Sequence, residues 1–321
     1  MITEEFIESK LNEILFQTTD IRNKGMKNKL LNEDIDHSIT RILFEAKLGE
    51  VRGPEEIKER GLFKTEESED VAYEEGLIDE DVHSIFKKIM PEDTRILSPF
   101  RFVMQYFFSI SEAPNFLSKQ LAFRMINYLK TDIHPYYEFR RNLIVRVAPH
   151  GMDIGLSVRN YFRELIHKTN YPFWSPSLFT TDKGKTIFSI SPENSGEGIV
   201  GIPRPDKISH IFLIDCVIDG GETISNSIKT LRKYGYTTEN GVEIIPTCVI
   251  YDENSICEKR FKRLDVNEVI YLTTAKRLLK KGREMGLIQE NQCSSAISYL
   301  NDVSEFMREI SPFLFESIKL Y

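Results

Sequence analysis

Two short stretches of the chain carry residue types suited to holding an anion. In HIFLIDCVIDGGETISNSIKTLRKYG, residues 210–235, an apolar run delivers Asp215, then Asp219, the pair Gly220 and Gly221, and Thr223 to the start of a helical pattern. Glycine lacks a Cβ, so Gly220 and Gly221 can take positive φ and turn backbone N–H groups toward an anion. A helix beginning near Thr223 adds free amides and the positive end of its dipole, and the Thr223 hydroxyl can donate to an anionic oxygen. Asp215, at the end of the apolar run, can accept hydrogen bonds from ligand hydroxyls. In VRVAPHGMDIGLSVRNYFREL, residues 145–165, Pro149, His150 and Gly151 form a second turn between a strand pattern and a helical one. His150 is a candidate contact there.

The elements around these turns must place them together. Short continuous apolar runs at 143–148, 177–181, 186–190, 211–214, 243–251 and 268–273 alternate with helical patterns at 156–167 and 223–234. That is how buried parallel strands appear in an α/β sheet. Ile224, Ile228 and Leu231 recur at helical spacing and are expected to face the sheet. The expected fold is α/β, a doubly wound and mainly parallel sheet. Strands beginning near Leu143 and Ile211 should be neighbours, because ligands of open α/β sheets sit where strand order reverses.

Ahead of this core the chain is different. Residues 3–17 place Phe6, Ile7, Leu11, Ile14 and Leu15 on one helical face, and 34–48 repeats the pattern with Ile35, Ile39, Ile42, Leu43 and Ala46. The acidic run 66–81 reads as a solvated face or linker. The aromatic-rich stretch 97–140 reads as helix and core. Residues 1–90 hold 22 acidic and 13 basic residues, whereas the whole chain carries −7. The expected division is therefore 1–92 as an acidic helical assembly region, 93–141 as a helical connection, 142–275 as the α/β core, and 276–321 as a C-terminal helical segment.

Charge and composition exclude several function classes. The acidic N-terminal region repels nucleic acid and suits a protein partner or a homo-oligomer contact, so nucleic acid enters only indirectly. No stretch approaches the roughly 20 apolar residues of a membrane span. Cys216, Cys248, Cys257 and Cys293 show no CxxC spacing, and reduced thiols in a cytoplasm are expected. No zinc, Walker or GxGxxG pattern is present.

Residues 210–223 resemble the PRPP-binding motif of type I phosphoribosyltransferases: a strand, two acids, three residues, then Thr-Gly-x-Thr. In register, Asp215 falls on the first acid, Cys216 on the second, Gly220 on the first Thr, Gly221 on the Gly and Thr223 on the last Thr. The resemblance implies a sheet of phosphoribosyltransferase type with an added helical N-terminal region. It implies that Asp215 meets the ribose hydroxyls as the catalytic candidate and as a magnesium ligand, and that Asp219, Gly220, Gly221 and Thr223 hold the 5-phosphate. Pro149, His150 and Gly151 would approach the diphosphate, and Lys183 and Lys185 occupy the place of the mobile loop that closes over substrate. Cys216, Gly220 and Glu222 depart from the motif, removing a carboxylate, removing a hydroxyl and adding a negative charge. Binding of PRPP or a nucleoside 5′-phosphate by an effector or sensor, similar to phosphoribosyltransferase-like proteins of bacterial anti-phage systems, some of them retron-associated, is the implied function. The alternative is an active magnesium-dependent enzyme transferring ribose 5-phosphate to a nucleobase.

Overall fold

The computed structural model describes residues 28–90, 93, 95–103, 113–131, 141–148, 151–167, 177–181, 186–190 and 205–318. The helical pattern at 3–17, together with Pro149, His150, Lys183 and Lys185, lies outside them. The chain opens with α1 (Asn28–Glu45), β1 (Gly49–Val51), α2 (Pro54–Arg60), β2 (Phe63–Ser68), α3 (Glu69–Glu74), α4 (Glu80–Ile89), β3 (Arg95–Ser98) and β4 (Phe100–Phe102). β1 pairs antiparallel with β4, and β2 antiparallel with β3. The aromatic run expected to be helical from 97 thus begins as strand: alternation places Phe100 inward and Arg101 outward, a period of two that an aromatic-rich stretch hides.

After α5 (Ala113–Thr131) comes the sheet. Its strands are β5 (Arg141–Val147), β6 (Ser177–Thr181), β7 (Thr186–Ile190), β8 (Ile208–Ile218), β9 (Glu243–Tyr251) and β10 (Ile270–Thr274), interleaved with α6 (Gly151–His167), α7 (Glu222–Lys233) and α8 (Ser255–Arg263). Spatial order is β10-β9-β8-β5-β6-β7. Every neighbouring pair is parallel except β6 with the edge strand β7. β5 and β8 lie side by side with Leu143 opposite Ile211, as the turns required. From that pair β6 and β7 follow on one side and β9 and β10 on the other, so strand order reverses between β5 and β8, the position at which open α/β sheets commonly bind ligands.

The sheet is apolar on both faces. Along β8 Phe212, Ile214 and Cys216 point to one face, where they pack with Ile154, Val158 and Phe162 of α6, Leu121 and Met125 of α5, and Ile39 of α1. Ile211 and Leu213 point to the other, against Ile224, Ile228 and Leu231 of α7 and Phe261 of α8. Each fully buried Leu, Ile or Phe contributes about 1.5–3 kcal/mol. β8 runs four residues beyond the apolar stretch 211–214, with Ile218 opposite Tyr251. Asp215 therefore lies inside the strand instead of opening the loop. Its neighbours Cys216 and Ile218 are buried, and this burial extends the strand.

A third apolar cluster joins distant parts of the chain. Val51, Ile57, Val82 and Phe86 pack with Leu279 of α9 (Ala275–Glu284), Ala296 and Leu300 of α10 (Glu290–Asn301), and Phe306 and Leu314 of α11 (Val303–Ile318). Residues 51–100 and 256–314 share this core. Among the described residues no helix is long and apolar enough to cross a membrane.

Candidate functional site

At the crevice, Ile218 ends β8, and Asp219, Gly220 and Gly221 turn the chain into α7. Gly221 is the N-cap, at φ +79, a left-handed conformation that costs other residues roughly 1–2 kcal/mol. The helix starts at Glu222, one residue before Thr223. Opposite the turn, α6 begins at Gly151, so the expected turn 149–155 is helical from 151 onward. A Cβ on Gly151 would overlap the Ile214 carbonyl oxygen, so glycine is what allows α6 to start against β8. The structure thus brings Gly151 to the same end of the sheet as 219–223.

Asp215, Asp219, Gly220, Gly221 and Thr223 line one cavity of about 320 Å³. Its other walls are Lys64 to Glu67 on β2, Ser98 to Val103 across β3 and β4, and Asp252 just past β9. Six acidic residues line the cavity, Glu66, Glu67, Asp215, Asp219, Glu222 and Asp252, against the two basic residues Lys64 and Arg101. Such a field favours cations and weakens the affinity of a free anion.

The helix-start amide is already engaged. Glu222 N donates to Glu67 Oε2 at 3.3 Å. A Cβ on Gly220 would overlap the same carboxylate, so the glycine is what lets Glu67 sit on the turn. The other Glu67 oxygen forms an ion pair with Arg260 of α8 at 2.6 Å. Arg260 also donates through Nη1 to the Gly220 carbonyl, and its Nε reaches Glu75 at 2.7 Å. Glu67 and Arg260 are 5% and 2% exposed. Burial lifts the Glu67 carboxyl to about 7; Arg260 opposes the lift, while Glu222 and Asp219 add to it. Glu222, which could have faced outward, is itself buried, and its Oε2 accepts from Ser68 N at 3.2 Å.

Two further carboxyls form a pair. Asp219 and Asp252 lie close enough to interact electrostatically, and Asp219 disfavours the charged form of its buried neighbour. Burial raises both, Asp252 well above the carboxylate range because Asp219 adds its charge. Asn254 Nδ2 donates to Asp219 Oδ1 at 3.0 Å and fixes its orientation. Asp215 is nearly buried, and its Oδ1 accepts from Cys216 N at 2.7 Å. Cys216 is buried against the core, away from the role of a nucleophile. Arg146 donates to the Met152 carbonyl at 3.4 Å and packs on Gly155.

Sequence reasoning assigned no part in the site to Glu67, Arg260 or Asp252. Asp252 follows the apolar run of β9 at its carboxyl end, and that position was a usable signal. Glu67 reads as one of many acids in a solvated run, yet it and Glu69 are buried. Glu69 meets His83 at 2.6 Å and Lys87 at 3.0 Å. Arg260 reads as one of several surface charges in SICEKRFKR. Only the tertiary fold joins Glu67 to Arg260.

No family model matches the chain, and no curated protein does. Solved structures do. UMP synthase of Leishmania donovani matches at 13% identity over 82% of this chain with a TM-score of 0.42, and the match spans 41% of that protein. Orotate phosphoribosyltransferase of Francisella tularensis matches at 16% identity, covering 63% of this chain and 85% of that one with a TM-score of 0.41. APRTase from Giardia lamblia, complexed with 9-deazaadenine, matches at 14% identity, covering 53% and 84% with a TM-score of 0.32. The solved structures to which this chain is similar are thus a UMP synthase, an orotate phosphoribosyltransferase and an APRTase, each at or below 16% identity.

Proposed function

We propose that the chain is a phosphoribosyltransferase-like binding protein whose crevice takes PRPP or a nucleoside 5′-phosphate, acting as an effector or sensor of the kind found in bacterial defence. What supports the reading is the occupied amide at the start of α7. A carboxylate oxygen rests on Glu222 N beside Gly220, so this turn already stabilises an anionic oxygen by the means a phosphate needs. Asp215 and Thr223 line the same cavity and offer a hydroxyl-accepting carboxylate and a hydroxyl donor. Gly151 packs against Ile214 and Asp215 of β8, so the start of α6 lies at the same end of the sheet.

Magnesium brought in with PRPP would take hard oxygen donors, and Asp215, Asp219 and Asp252 are the acids that β8, its loop and the end of β9 contribute to the cavity lining. Bound there with PRPP, the ion would offset phosphate charge in a cavity that is otherwise acidic. The binding role is favoured over turnover by the buried Cys216, which stands where the motif has a second carboxylate, and by Glu222, whose carboxylate adds negative charge beside the turn that would hold the 5-phosphate.

Isothermal calorimetry with Mg²⁺ and PRPP, ribose 5-phosphate or common nucleotides tests the reading. Asp215→Asn is expected to weaken binding by about 1–3 kcal/mol, and Gly221→Val to abolish it. Heat with no diphosphate release on adding a nucleobase supports the sensor, whereas release establishes the enzyme. Absence of heat from every compound, with a large loss of stability in Asp215→Asn, would make the loop structural.

A further inference from the structure

We infer that Arg260 is the cation that receives the ligand's phosphate, and that Glu67 is an internal competitor for the same cradle, displaced when the ligand binds. The inference rests on the ribose-phosphate reading of the crevice. Glu67 bridges the two donors a phosphate would use there, Glu222 N at 3.3 Å and the Arg260 guanidinium at 2.6 Å. Arg260 has a third group to offer. Its Nη2 is buried with no hydrogen-bond partner, although the side chain is 2% exposed. A planar carboxylate does not satisfy that N–H donor; a phosphate has more oxygens and a different shape.

Glu67 and a phosphate cannot share the turn. The Glu67 carboxylate already fills the space a Cβ of Gly220 would take, and two anions within about 4 Å of each other repel strongly at the low dielectric of a buried site. Removing Glu67 also changes the charge available to the ligand. With Glu67 in place, Arg260 is matched by Glu67 and Glu75; with Glu67 withdrawn, Arg260 keeps Glu75 on Nε and the Gly220 carbonyl on Nη1 and offers the ligand its unpartnered Nη2.

Withdrawal cannot be confined to one side chain. Glu67 lies at the end of β2, Ser68 N is tied to Glu222, and Glu75 past α3 is tied to Lys229 at 2.9 Å as well as to Arg260. Lys259 and Arg263 of α8 donate to the carbonyls of Leu77 and Gly76. Segment 67–77 is therefore fastened to α7 and α8 by groups that flank the cradle, and phosphate entry loosens the first of those fastenings. Binding becomes a signal legible on the outer face of β2 and α3.

The test compares wild type, Glu67→Gln and Arg260→Lys by calorimetry with Mg²⁺–PRPP and, separately, inorganic phosphate, with circular dichroism melts to establish folding. Glu67→Gln is expected to bind Mg²⁺–PRPP about tenfold or more tighter than wild type, and Arg260→Lys more weakly. Hydrogen exchange of wild type should show amides of 64–75 losing protection at saturating Mg²⁺–PRPP. Equal affinity in Glu67→Gln and wild type would overturn the competitor and leave the ribose-phosphate reading standing. No heat from any of the three proteins would overturn that reading and the inference with it. Should Glu67→Gln fail to fold, unchanged protection of 64–75 in ligand-saturated wild type decides against the inference.

Discussion

Acidification from pH 8 to pH 6 is expected to stabilise the ligand-free protein. Glu67 is 5% exposed, and its carboxyl is lifted by burial from 4.5 to about 7. The folded state then binds its proton more tightly than the unfolded state does. Such a group contributes stability that is fully present below about 4.5 and is lost as pH rises through about 7. A lift of this size corresponds to about 3 kcal/mol in all, of which about 1 kcal/mol falls between pH 8 and 6. Asp219 and Asp252 are raised in the same direction, by burial first. Glu75 is shifted downward, so its own contribution is lost only in more acidic solution. Urea unfolding monitored by circular dichroism at half-unit steps measures the slope, and Glu67→Gln should flatten it by the Glu67 share. A wild-type stability that is flat or falls on acidification, or an unchanged slope in Glu67→Gln, would refute the buried-carboxylate account.

Other perturbations read the same geometry. Arg260→Met leaves Glu67 buried without its cation and should cost about 3–5 kcal/mol in denaturant unfolding, and a loss below 1 kcal/mol would mean that Glu67 escapes to solvent. Gly151→Ala drives a methyl into the Ile214 carbonyl and should cost about 1–3 kcal/mol, seen as a lower melting temperature, while an unchanged melt would show that α6 can shift freely. Removing residues 1–92 strips Val51, Ile57, Val82 and Phe86 from the core they share with α9 to α11, so the shortened chain should unfold without cooperativity. A shortened chain that unfolds cooperatively, with altered oligomeric state, would instead make 1–92 the separate assembly region its charge suggests.

The legible part of the fold was the part written in local patterns. The apolar runs of β5 to β10 and the spacing of Ile224, Ile228 and Leu231 announce a sheet with α7 on its face, and the diglycine after β8 announces a helix start. The adjacency of β5 and β8 followed from the need to bring two turns together. The β8 terminus was not legible, because Asp215 inside a strand looks like the start of a loop until Cys248 is seen opposite it. The covering of the crevice was not legible either. Glu67 and Glu69 sit among exposed acids, and nothing local marks the two that are buried; their partners Arg260, His83 and Lys87 are set by tertiary packing. Helical and strand periods also overlap in short aromatic stretches, which concealed β4.

The cluster that joins Val51, Ile57 and Phe86 to Leu300, Phe306 and Leu314 bears on the order of events during translation. The sheet strands lie between residues 141 and 274 and can pair once those residues have left the ribosome. The segment carrying Glu67 is synthesised earlier, but the helices that hold its neighbours, residues 290–314, emerge later. For the interval between, the nascent chain displays a formed crevice under an unfastened cover, and its exposed apolar stripe is a site for a chaperone. The wall that β2 gives the cavity is therefore held in place only after residues 290–314 have been made.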